Sequence, residues 1–287
     1  MKKKLIFVNS IPSQFTQHKE YVKEIITDYF EALDVDCKLK VKFIDFAKIN
    51  EYECTDCLLI TKSVNIHELS ISNIALKSIN FDGGKFFCLS LYHEFEHIRD
   101  YVKMMNTKLF KFNLGLAHYN DFEKTYVSSG FSFWTEIYAY YKTLLFSKQN
   151  AYNYEKITFG NLVKNYIKTA NCNKNIYYKK DLTLDEANNY VNKVDSFVYL
   201  CAKYMASTFA GHSRIPYARI DKNKNYKKVF SMLYGLAPKV KRLMNNPYNL
   251  KSYENLYKLG KYICENIRWK IFKVGLIEKN SKIFSFY

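Results

Sequence analysis

Near the start of the chain two stretches, KKLIFVNS and KLKVKFIDF, alternate or run apolar, and each predicts a β-strand. Between them HKEYVKEIITDYFEAL repeats its apolar positions every three to four residues, the period of an amphipathic helix. CLLITKS and NIALKSINF read as a third and a fourth strand. After the turn Asp82-Gly83-Gly84 the helical period returns, and KFFCLSLYHEFEHIRDYVKMMN predicts a helix of about 20 residues. The stretch from Thr107 to Gly130 has weak periodicity and reads as a long loop, which in a compact domain is usually functional or mobile. Ser128-Ser129-Gly130 then leads into a second strong helix, FSFWTEIYAYYKTLLFSK.

Beyond residue 150 the pattern is helical throughout. Thr183-Leu184-Asp185-Glu186 is a capping box that opens a long helix running to about Phe209. Pro216, Pro238 and Pro247 punctuate the later pieces, and a last helix covers about Tyr253 to Phe272. The fold class expected is α+β: a domain with a small mixed sheet over residues 1–150, then an all-helical accessory region over 151–287.

Composition narrows the setting. No run of about 18 apolar residues exists to span a membrane. The opening MKKKLIFVNS has a basic head but too short an apolar run for a signal peptide, so a cytoplasmic protein is expected. Seven cysteines without regular spacing fit reduced thiols. Cys54 and Cys57 form a single CxxC with no second pair to complete a zinc ribbon.

The formal net charge of +17 raises the question of an anionic partner. Of the 44 basic residues only Arg99, Arg214, Arg219, Arg242 and Arg268 are arginine. Lys, Asn, Ile, Tyr and Phe are abundant together, as an A/T-rich coding bias would produce. Base recognition leans on arginine forks, so nucleic acid is a partner the sequence allows but does not favour.

The strongest chemical signal is HEFEH. His93 and His97, two of only six histidines, stand one helical turn apart on one face, where both can reach a single ion. Glu94 is then the general base for a water acidified by the metal. Phe87, Leu91, Phe95, Ile98 and Val102 make this a packed helix, the setting the motif needs. Glu96 is expected to face solvent, and Asp100 to act as a supporting or surface carboxylate rather than as a ligand. A catalytic zinc needs a third protein ligand. Glu136, a carboxylate among the aromatics of FWTEIYAYY, is the leading candidate, because a charge there is costly unless it is paired or metal-bound. His118 is second, with Asp121 and Glu123 behind it. Tyr138, Tyr140, Tyr141, His118 and His212 are candidates to donate to a developing oxyanion.

A helix bearing HExxH followed by a helix with glutamate in an E-x-x-A setting resembles the gluzincin metallopeptidases. Within them it is most similar to the ImmA/IrrE-like zincins of bacteria and their mobile elements. The resemblance covers residues 74–148 and rests on HEFEH and WTEIYA. It implies one Zn2+ per chain on His93, His97 and Glu136, Glu94 as base and proton shuttle, and a mixed sheet ahead of the active-site helix. Glu96 stands where many such motifs have glycine, and the stretch between the two helices is long. The function expected is a zinc endopeptidase with a protein or peptide substrate, and family analogy points to a single regulatory protein. The alternative is a catalytically weak scaffold whose basic helical half holds nucleic acid or an acidic protein.

Overall fold

The computed structural model describes residues 2–44, 57–106, 121–150, 157–177, 183–213, 223–248 and 252–274. The protein is mixed α+β, with a small four-stranded sheet and a predominance of helix. Chain contacts gather into two compact units, Met1–Thr107 with Lys142–Tyr154, and Lys108–Tyr141 with Glu155–Tyr287.

The first unit contains the sheet, in the order β1-β2-β4-β3, from β1 (Lys4–Phe7), β2 (Lys38–Ile44), β3 (Cys57–Ser63) and β4 (Ile66–Ser72). β1, β2 and β4 run parallel, and β3 pairs antiparallel with β4 at one edge. Strand β2 alternates, turning Leu39, Val41 and Phe43 inward beside His67, Leu69 and Ile71 of β4. Helix α1 (Lys19–Glu31) adds Val22, Ile26 and Phe30 to the same core.

NIALKSINF is not a strand: it lies in helix α2 (Asn73–Asp82), and the fourth strand is the preceding IHELSIS. The helix starts there because the Ser72 hydroxyl accepts from the Ala75 N–H at 3.3 Å. It stops at Gly83, whose φ of 68° suits glycine. The Asp82 carboxylate then accepts from the N–H groups of Gly84 and Phe86, at 3.0 and 2.9 Å, and so steadies the entry to helix α3 (Lys85–Met105). As the sequence predicts, α3 places Phe87, Leu91, Phe95, Ile98 and Val102 in the core against the sheet.

The other elements are helical: α4 (Asp121–Gln149), α5 (Phe159–Tyr177), α6 (Leu184–Phe209), α7 (Lys224–Asn245), α8 (Ser252–Tyr262) and a π-helical stretch, Ile263–Trp269. The capping box at Thr183 and Glu186 is present, and α6 ends at Phe209 as expected. Two expectations fail. Helix α4 starts at Asp121, so the second half of the supposed loop is helical and Ser128-Ser129-Gly130 lies inside the helix. Gly130 is there for closeness rather than for a turn. A Cβ on it would lie 2.0 Å from the Leu256 carbonyl oxygen, and one on Gly260 would lie 1.6 Å from that of Tyr126. The two backbones cross with no room for a methyl. Pro238, expected as punctuation, lies inside α7. The Thr107–Asn120 part of the expected loop, Cys54 and Pro216 fall outside the described residues.

Candidate metal centre

Helix α3 is buried on two sides. Opposite its core stripe it carries a second row, Leu89, His93, Glu96, His97, Asp100 and Met104, of which all but the half-buried histidines are buried. A helix with two buried faces is central to its fold rather than laid on its surface. The one-turn spacing and the shared rotation about the helix axis bring the two imidazoles together. Their Nε2 atoms lie 3.0 Å apart, with the rings nearly perpendicular.

The structure brings one further ligand-bearing side chain to this pair. A nitrogen from each of His93 and His97 and a carboxylate oxygen of Glu136 all lie within 4.8 Å of one another, a group able to hold a metal ion. The donor set suits a borderline cation such as zinc. Two Zn–N bonds of about 2.0–2.1 Å at a tetrahedral angle separate their nitrogens by about 3.3 Å, close to the spacing present. Among the described residues the group has three members.

Glu136 is buried in α4, next to the wholly buried Trp134 and Ile137. Its charge is balanced by Lys203 of α6, whose Nζ lies 3.5 Å from Oε1 and 5.7 Å from the centre of the Tyr140 ring. The sequence reading missed Lys203. It stands far along the chain from Glu136, among many similar lysines, and no local pattern marks it.

Glu94 is half-buried on α3. Glu96 is not solvated: it is 1% exposed and pairs with Arg99 three residues on. Arg99 also holds Asp34 at 3.0 Å. The Tyr92 phenol, in contact with Glu96, is pushed up to about 12 by burial and by that carboxylate. A buried acid is stable here because a cation one turn away neutralises it. Asp100 is fully buried rather than at the surface, and is not one of the three convergent ligands. Glu123 and His212 are half-buried and outside the group, and Tyr140 is buried. Tyr138 packs against Trp134 and Tyr248. His118 and the side chain of Asp121 fall outside the described residues. Among those described, no helix is long and apolar enough to cross a membrane.

No protein-family model, curated protein or solved structure matches the chain.

Proposed function

We propose that the chain is a zinc-dependent metallopeptidase that cleaves a protein or peptide substrate. The observation carrying this reading is the convergence of His93, His97 and Glu136, with Glu94 one residue along the same helix from a ligand. A bound zinc would polarise a scissile carbonyl and lower the pKa of water at the open position. The two imidazoles and the Glu136 carboxylate would hold it. Lys203 fixes one oxygen of Glu136 and so limits how that carboxylate can turn. Glu94 takes the proton of the attacking water and passes it to the departing amine, the two transfers that peptide hydrolysis requires. The mixed sheet ahead of the HExxH helix supports the gluzincin comparison, and a specific intracellular regulatory protein is the substrate class it suggests.

Elemental analysis of the purified protein tests the reading. About one zinc per chain is expected, absent from His93→Ala and Glu136→Ala. Glu94→Gln should keep the metal and lower peptide cleavage by at least about 100-fold. Wild-type protein that takes up no metal after reconstitution would sink the proposal.

A further inference from the structure

Helix α7 is an amphipathic helix with no acid. It buries Val229, Met232, Leu233, Leu236, Val240 and Leu243. It carries six basic residues and not one aspartate or glutamate along its whole length. In a chain with 27 acidic residues, coding bias accounts for the lysines but does not remove the carboxylates that would balance them.

Two features beside this charge give it a shape. On one flank Phe230 and Tyr234 stack, with centroids 6.0 Å apart, and Tyr234 is 65% exposed to solvent. On the other flank a cleft of about 360 Å3 opens towards α8 and the π-helical stretch, with Lys239, Arg242, Lys258 and Lys261 in its lining against the single carboxylate of Glu265. Lys258 and Lys261 have carboxylates one turn away, Glu254 and Glu265. Lys239 instead donates to the Gly235 carbonyl at 3.1 Å and lies 4.5 Å over the Tyr262 ring. Lys239 and Arg242 line the same cleft with like charges, whose repulsion an anion entering the cleft would relieve.

We infer that the outer face of α7 and the adjoining cleft form a binding site for single-stranded nucleic acid, held by its phosphates without reading sequence. Phosphate neutralisation needs only point charges, which lysine supplies. The scarcity of arginine argues against base readout, not against this mode. A stacked aromatic pair with one exposed ring beside a basic groove is an arrangement that can hold successive bases on a strand, and it favours a nucleic acid over an acidic polypeptide. The site lies within the helical unit and does not depend on the metal reading.

The test is fluorescence anisotropy of the full chain with a labelled 20-nucleotide strand of mixed sequence, between 50 and 300 mM salt. Binding should weaken at least tenfold when Lys239, Arg242 and Lys261 are all changed to Gln, and the salt slope should fall by about 2. Changing the exposed Lys40, Lys62 and Lys77 to Gln, which removes the same charge elsewhere, should shift affinity less than about threefold. Tyr234→Ala should weaken binding about fivefold while leaving the salt slope unchanged. Three outcomes overturn the proposal: no binding at 50 mM salt, equal loss in both triple variants, or tighter binding of polyglutamate than of the oligonucleotide.

Discussion

Each of the two compact units has its own apolar interior, and they differ in the specific contacts added to it. The sheet-bearing unit rests on one continuous apolar core, built from alternating strand residues and the stripes of α1, α2 and α3. The helical unit buries apolar residues of its own, Leu162, Val194, Leu236 and Leu256 among them, and adds specific contacts. Its α4 and α8 backbones meet at Gly130 and Gly260. Arg268 pairs with Asp195 at 2.8 Å where both are nearly sealed from water, and the Tyr190 hydroxyl donates to the Phe272 carbonyl at 2.6 Å. An apolar core loses stability roughly in proportion to the area removed. A close crossing or a buried ion pair fails as a unit. The first unit should therefore tolerate small changes that the second does not.

Five measurements bear on that contrast and on the site. Both tryptophans, Trp134 and Trp269, belong to the helical unit, so their fluorescence follows its unfolding separately. The largest loss is expected from Arg268→Met, about 3–5 kcal/mol, because it takes the cation away from a buried carboxylate. Adding Asp195→Leu should recover most of it. If Arg268→Met costs under about 1 kcal/mol, the helical unit does not depend on this pair. Gly260→Ala comes next, at about 3 kcal/mol, since the new methyl meets a backbone carbonyl that no rotamer change can move.

The third measurement falls on the sheet-bearing unit. His67 is fully buried on β4 and its imidazole is pushed down to about 4 by burial. The folded chain then refuses a proton that the unfolded chain takes up below about 6.5. This contribution to stability is complete above pH 6.5 and is lost as the pH falls towards 4, reaching about 3 kcal/mol. Hydrogen exchange of the β2 and β4 amides at pH 7 and pH 5 should show the loss, and His67→Leu should reduce it. The fourth is Lys203→Met. Freeing one oxygen of Glu136 should weaken zinc binding about tenfold in a chelator competition, with Lys203→Arg in between. Tighter binding in Lys203→Met would make the lysine a competitor of the metal rather than a support. The smallest effect is expected from Ile71→Val in the sheet core, about 1 kcal/mol.

The sheet-bearing unit was also the more legible in sequence. β1, β2, β3, α1 and α3 lie where an apolar run or a clean period predicts them, most plainly β2, whose buried positions alternate, and α1, which buries one stripe. The strand assigned to NIALKSINF failed because capping outweighed propensity. Ser72 and Gly83 bracket a helix whose β-branched residues suggested otherwise. The missed strand IHELSIS has polar residues on its buried positions, His67 and Ser70 among them, so no hydrophobic alternation marked it. In the helical unit the capping box at Thr183 gave the start of α6, whereas Ser128-Ser129-Gly130 suggested a break inside α4, where Gly130 serves the close approach to Leu256. At the candidate site His93 and His97 could be paired from spacing. Glu136 was suggested by its aromatic neighbours, and Lys203 and the burial of Glu96 were not foreseeable.

What the sequence determined by itself is local: the helices and strands with a clean period, the capped start of α6, and a histidine pair one turn apart. Backbone geometry fixes such relations over a few residues, and any chain with those residues in a helix would have them. Tertiary structure alone decided which carboxylate meets the histidines, which lysine balances that carboxylate, and which glycines allow two helices to touch. Those relations join positions far apart in the chain. They depend on how whole helices pack, and the period of one segment carries no information about the distance to another.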